Sequence, residues 1–124
     1  MTASFKKILI IDDDEVFVKP LRKFLTLNKF QVNVAENGMN GLELQNFLDV
    51  DLIITDLRME GMTGIDVINN VSKTFPDTPI MVVSGFINDS EFGGVDGYKN
   101  VVGVYQKPID YEKVIEQIKT VLCK

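Results

Sequence analysis

Three runs constrain the fold more than any other feature: ILII (residues 8–11), LIIT (52–55) and IMVV (80–83). Each is apolar or β-branched at every position. A strand with one wet face would alternate, so these read as strands covered on both faces, the pattern of a parallel sheet between helical layers. Two further segments, FQVNVA (30–35) and NVVGVYQ (100–106), complete a set of five predicted strands.

The intervening segments carry helical spacing. Phe17, Leu21, Phe24 and Leu25 fall on one face of a 3.6-residue period. Asp14 suits the N-cap of that helix, and Glu15 the positive end of its dipole. Pro20 should kink it, because its ring clashes with the carbonyl four residues back. Short helices are predicted over 40–47 and 65–74, the latter turning Ile65, Ile68 and Val71 inward. Pro76 and Pro79 bracket a turn. Gly93, Gly94 and Gly97 leave any helix within 86–100 weak. A final amphipathic helix is predicted over 108–122, with Val114, Ile115, Ile118, Val121 and Leu122 inward. Five strands alternating with five helical segments define a doubly wound α/β fold, whose functional crevice lies beyond the carboxyl ends of the strands.

A chain of 124 residues is expected to form one domain, 1–124, with no output domain. Its net charge of −5 argues against non-specific nucleic-acid binding, which needs clustered cations. The absence of histidine excludes imidazole metal ligands and histidine bases. The lone Cys123 cannot form an internal disulfide. No signal peptide or membrane-length apolar run is visible, so the expectation is a soluble, cytoplasmic protein without a membrane partner.

The residues just past the strands are unevenly chosen. Strand one delivers Asp12, Asp13 and Asp14; strand three Asp56; strand four Ser84; strand five Lys107, then Pro108. Strand two delivers only Glu36 and Asn37. Singly, each has an ordinary explanation as a cap, a turn residue or a solvated cation. Together they place carboxylates, a hydroxyl and an ammonium on one sheet edge. Two carboxylates ~4 Å apart repel by roughly 1 kcal/mol in water and several times more in a partly dry crevice. A hard divalent cation such as Mg²⁺ would relieve that repulsion. Metal, carboxylate, hydroxyl and lysine together suit phosphoryl transfer, and an aspartate can itself be the nucleophile.

The acidic pair after strand one, the stretch DLIITDLRMEGMTG (51–64), the Ser ending strand four and the Lys-Pro after strand five resemble the receiver domains of bacterial two-component response regulators. The resemblance covers the whole chain. It implies a flavodoxin-like (βα)5 fold with strand order 2-1-3-4-5, as in chemotaxis regulators. It also implies that Asp12 and Asp13 bind the metal with Asp56 and the backbone carbonyl of Arg58. Asp56 would be the phosphoacceptor, and Ser84 and Lys107 would hold the phosphoryl group. A histidine kinase or histidine phosphotransfer protein would be the donor, and a downstream protein the receiver of the signal.

Three departures stand out, and the second and third bear on output. Glu60 replaces the usual loop proline. The region before strand five is glycine-rich. The position of the switch aromatic, three residues before the lysine, falls on Val104 with Tyr105 one residue later, so a bulge shifts the strand or the switch is absent. Two other readings stand beside this one. DDDEV (12–16) also fits a haloacid-dehalogenase-type phosphatase with Asp12 as nucleophile, which would leave Asp56 without a role. A receiver-like docking module that is never phosphorylated would leave the whole cluster unexplained.

Overall fold

The computed structural model describes residues 5–88 and 92–123. Five parallel strands form one sheet in the order β2-β1-β3-β4-β5. The interior strands are β1 (Lys7–Ile11), β3 (Leu52–Thr55) and β4 (Ile80–Ser84); the edges are β2 (Gln31–Ala35) and β5 (Val101–Gln106). This placement explains the apolar runs. Ile8–Ile11, Leu52–Thr55 and Ile80–Ser84 are buried at every position, whereas the edge strands are largely half-buried. Each large aliphatic side chain so buried contributes ~1.5–3 kcal/mol.

Helices α1 (Glu15–Leu27) and α4 (Tyr111–Leu122) cover one face, with Ile8, Ile10, Leu52, Ile54, Met81 and Val83 beneath them. Helices α2 (Gly38–Leu48) and α3 (Gly64–Thr74) cover the other, over Leu9, Ile11, Ile53, Ile80 and Val82. Among the described residues there are four α-helices, not five. Between β4 and β5 the described residues show 3₁₀ geometry at Phe92 and over Val95–Gly97, and no α-helix. Glycines cost a helix about 1 kcal/mol each, and Gly94 adopts φ +84°, which ends helical geometry. Residues 89–91, part of the stretch predicted to be weakly helical, lie outside the described residues.

Local chemistry sets the helix starts. Asp14 caps α1 as expected, its Oδ1 accepting from the backbone N–H groups of Val16 and Phe17. The helix runs through Pro20 to Leu27. Its buried face comprises Phe17, Val18, Leu21 and Leu25. Phe24 is instead partly exposed and stacks on Tyr111 at 5.2 Å between centroids. In α3 the inward residues are Val67, Ile68 and Val71, with Ile65 only partly covered. Helix α4 begins at Tyr111 rather than Pro108, because Asp110 caps it through the N–H groups of Glu112 and Lys113.

The loop from β3 to α3 answers why β3 ends in an acid. Asp56 does not cap α3; Thr63 does, in a reciprocal capping box with Asp66. The loop folds back so tightly that Gly64 N–H donates to the Leu57 carbonyl at 2.8 Å. A Cβ on Gly64 would collide with the Asp56 carbonyl oxygen and stand 2.7 Å from Leu57 Cα. Both are backbone atoms that cannot turn away. We therefore expect Gly64→Ala to lose about 2–3 kcal/mol in urea unfolding by overpacking, and an unchanged midpoint would contradict this view of the loop.

Candidate functional site

Register carries the functional residues to one edge. β1 pairs with β3 through Ile11 and Thr55, so Asp12 and Asp56 leave adjacent strands at the same level. β4 lies beside β3, and Ser84 pairs with Gln106 of β5, immediately before Lys107. The Lys107 N–H donates to the Ser84 carbonyl at 2.9 Å, and the Lys107–Pro108 peptide is cis.

The Lys107 ammonium is the hub. Nζ lies 2.9 Å from Asp12 Oδ2, 3.2 Å from Asp56 Oδ2 and 3.5 Å from Asp14 Oδ2. It also sits 4.4 Å from the centre of the Phe17 ring, a cation–π contact beneath the ion pairs. Burial alone would lower the lysine pKa, but Asp12 and Asp56 outweigh it and the value is raised. Lys107 therefore stays charged throughout the neutral range.

One ammonium does not satisfy the acids around it. Asp12 Oδ1 accepts from the Asp14 N–H at 2.9 Å. Its Oδ2 is, among the described residues, the one buried side-chain oxygen without a hydrogen bond; the ammonium 2.9 Å away neutralises it without the geometry of one. Burial above all, with a smaller push from Asp56, raises the Asp12 pKa to about 6, although Lys107 and the Asp14 N–H pull it down. Oxygens of Asp12, Asp13 and Asp56 lie within 4.8 Å of one another, Asp13 on the exposed side. Three convergent carboxylates, one with a buried oxygen that takes no hydrogen bond, fit a hard divalent cation.

Asp56 is held at both oxygens. Oδ1 accepts from the Leu57 N–H at 2.7 Å and Oδ2 faces Lys107, while Thr55 Oγ1 donates to the Asp56 carbonyl at 2.9 Å. Ser84 is fully buried, and its hydroxyl oxygen accepts from the Phe86 N–H at 3.1 Å. It shares the edge with Asp56, but its recorded tie to Lys107 is through the backbone. Arg58 is exposed, its guanidinium 4.6 Å from the centre of the Phe86 ring and 5.4 Å from that of Phe92. Glu60 is exposed in the same loop.

The bulge left open by the sequence exists, but it does not supply a switch aromatic. Ile80 lies opposite Val101 and Met81 opposite Gly103, so the extra residue sits before Val104. Val104 packs against the core cluster of the α2/α3 face, to which Phe92 and Val95 belong, whereas Tyr105 packs on the α1/α4 face. A Cβ on Gly103 would meet the Tyr105 ring at 2.7 Å, so the ring lies over that glycine. The aromatic stays on the other side of the sheet.

Sequence reasoning missed Phe17 as the floor under Lys107, the reach of Asp14 to that lysine, and the pairing of Arg58 with Phe86 and Phe92. Asp14 and Phe17 had been accounted for by cap and core. No local signal links them to a residue some ninety positions away.

The fold is an open, doubly wound parallel α/β sheet whose carboxyl edge gathers carboxylates, a buried hydroxyl and a lysine, a set with the chemistry to hold a cation and a phosphoryl group. The chain belongs to the response regulator receiver domain family, which matches residues 8–119. It is 32% identical over 117 residues to the transcriptional regulatory protein GlrR of Escherichia coli, covering 93% of this chain and 26% of that protein. It is 31% identical over 121 residues to the cell cycle transcriptional regulator CtrA of Caulobacter vibrioides, covering 94% of this chain and 50% of CtrA. The chain thus spans half or less of these relatives. In fold it is similar to a CheY-like receiver domain protein of Methanospirillum hungatei, with a TM-score of 0.90 at 23% identity over 97% of this chain and 95% of that one. No helix among the described residues is long and apolar enough to cross a membrane.

The raised Asp12 pKa has a definite sign. The unfolded chain releases this proton near 3.8 and the folded one near 6, so the folded state binds more protons between those values. Stability should therefore fall as pH rises from 4 to 6, by an amount on the order of 2–3 kcal/mol. We expect Asp12→Asn to raise the metal-free melting temperature at pH 7.5 and to flatten its dependence between pH 4 and 6. Mg²⁺ should raise the melting temperature of the wild type and not of this variant. A destabilised Asp12→Asn at pH 7.5 would contradict the electrostatic account.

Proposed function

We propose that the chain is the phosphoacceptor switch of a two-component phosphorelay, with Asp56 as the residue that takes the phosphoryl group. The observation that carries this reading is the setting of Asp56: buried, fixed by the Leu57 N–H and facing Lys107, beside Asp12 and Asp13. Asp12, Asp13, Asp56 and the Arg58 carbonyl would hold Mg²⁺. When bound, that ion would neutralise phosphoryl oxygens that the acidic cluster otherwise repels.

The protein's own residues do the rest. An Asp56 oxygen attacks phosphorus in line as the phosphorus–nitrogen bond of a phosphohistidine breaks, and the released imidazole nitrogen takes up a proton. Lys107, already within ion-pair distance of Asp56, follows the charge onto the new phosphoryl group. Ser84 can donate its hydroxyl to a phosphoryl oxygen, since its present bond uses the oxygen as acceptor. The domain acts as a switch rather than a turnover catalyst, and receives its phosphoryl group from a histidine kinase or phosphotransfer protein. It passes the signal to another protein rather than to nucleic acid. A cytoplasmic setting agrees with the free, exposed Cys123.

The phosphatase alternative would need Asp14 as its acid/base beside the Asp12 nucleophile, but one Asp14 oxygen is committed to capping α1, and the chain belongs to the receiver family. With acetyl phosphate and Mg²⁺, intact mass should show one added phosphoryl group on the wild type. EDTA or Asp56→Asn should abolish it. Undiminished labelling of Asp56→Asn would overturn the assignment.

A further inference from the structure

The edge strand β2 is unguarded. An open edge offers its backbone donors and acceptors to any other strand, and proteins commonly blunt it with a bulge, a proline or a charge. The opposite edge, β5, carries a bulge between Val101 and Gly103. β2 reads QVNVA, with no proline and no charged residue, and keeps unbroken register with β1 from Gln31 to Ala35.

The ladder fixes which groups point outward. Gln31 N–H donates to the Lys6 carbonyl at 2.9 Å, and the Ala35 carbonyl accepts from the Asp12 N–H at 3.0 Å. Backbone groups alternate sides along a strand, so Gln31, Asn33 and Ala35 face β1. Val32 and Val34 therefore turn their N–H and C=O groups outward, where no partner meets them among the described residues. Their side chains are half-buried against the α1/α4 core, whereas Asn33, opposite Leu9, lies on the α2/α3 side. Helix α2 is apolar beside this edge. Glu43 is its single charged residue, while Met39 is 60% and Phe47 83% exposed. A groove of about 570 Å³ between helix and strand is lined by Val34, Glu36, Glu43, Leu44 and Phe47, among others. A helix apolar on both sides is normally covered on both.

We propose that β2 pairs with β2 of a second copy, antiparallel about a two-fold axis at Asn33, joining the two five-stranded sheets into one. The strand is complementary to itself. Val32 lies opposite Val34 of the second copy, and Val34 opposite its Val32, so every outward N–H and C=O of the two valines is used. Directly opposed β-branched residues are favourable cross-strand pairs. The segment is basic before the strand, at the exposed Lys29, and acidic after it, at the exposed Glu36. Antiparallel pairing sets Lys29 toward Glu36 of the second copy, whereas parallel pairing would bring like charges together. The same axis lays α2 beside α2 and takes Met39 and Phe47 out of water. Glu43, midway along that helix, approaches its own copy and opposes the contact, which keeps the pairing reversible. An isologous contact closes at two copies and does not propagate into fibres. It does not depend on phosphorylation of Asp56.

Sedimentation of the unmodified chain should show a mass that rises with concentration from 14.0 kDa toward twice that value. Val34→Pro removes an outward N–H and no bond to β1. It should keep the wild-type circular dichroism spectrum and weaken association at least ~10-fold. A second measurement does not need that variant to fold. In a Cys123→Ser background, Asn33→Cys places two thiols opposite each other across the axis, with Cα atoms ~4.5 Å apart, within disulfide reach. Mild oxidation should link the two copies. Gln31→Cys in the same background leaves its two cysteines roughly 14 Å apart along the strands, and should link at least ~10-fold more slowly. A wild type that stays monomeric up to millimolar concentration overturns the proposal and leaves the edge to a strand of another protein. Equal linking at positions 33 and 31, or a folded Val34→Pro that associates like the wild type, shows association through another face and also overturns it.

Discussion

The Lys107 ammonium is what lets Asp12 and Asp56 share a nearly dry corner of the sheet, with the half-exposed Asp14 at its rim. It stands within 2.9–3.5 Å of all three, with the face of Phe17 beneath it. At an effective dielectric near 20, the contacts with the buried Asp12 and Asp56 each have a Coulomb term on the order of 5 kcal/mol, and desolvation of the same groups offsets much of it; the contact with the half-exposed Asp14 is worth far less. The balance is deliberately incomplete. With Asp13 on the rim, four carboxylates face one cation, and one buried oxygen of Asp12 takes no hydrogen bond. A corner left short of positive charge is a poor way to stabilise a fold and a good way to admit a metal ion and then a phosphoryl group.

The sheet supplies the geometry for that corner. Asp12 and Asp56 follow paired residues of adjacent central strands, and Lys107 follows the partner of Ser84. Rigid, fully buried strands hold the acids in place. The loops beyond them carry Glu60 and the glycines before β5, whereas Val104, the third departure from the family pattern, lies within the edge strand β5. Gly64 links the two regimes, since its close approach to the Asp56 backbone ties the start of α3 to the acid.

Much of this was legible in the sequence, for physical reasons that also mark where legibility ends. Uniformly apolar runs of four residues bounded by turn residues fit central strands, so the positions of those strands, their parallel arrangement and the residues just past their ends followed from the pattern. Helix faces were less secure. Periodicity placed Phe24 on the inner face of α1, but at the edge of that face a large ring can lie on Tyr111 instead, and Val18 fills the core. The bulge before Val104 depends on pairing with β4 and cannot be read from β5 alone. Contacts such as Lys107 with Phe17, or Arg58 with Phe86, join residues that only the folded sheet brings together, and their individual chemistry is too ordinary to announce them.

The account stands or falls on which carboxylate becomes the acyl phosphate. Reducing freshly phosphorylated protein with borohydride converts an aspartyl phosphate to homoserine, and peptide fragmentation then reads the position. The account places homoserine at position 56, in an Mg²⁺-dependent yield, with Asp12 and Asp13 unchanged. Homoserine at position 12 or 13, with Asp56 intact, would contradict it.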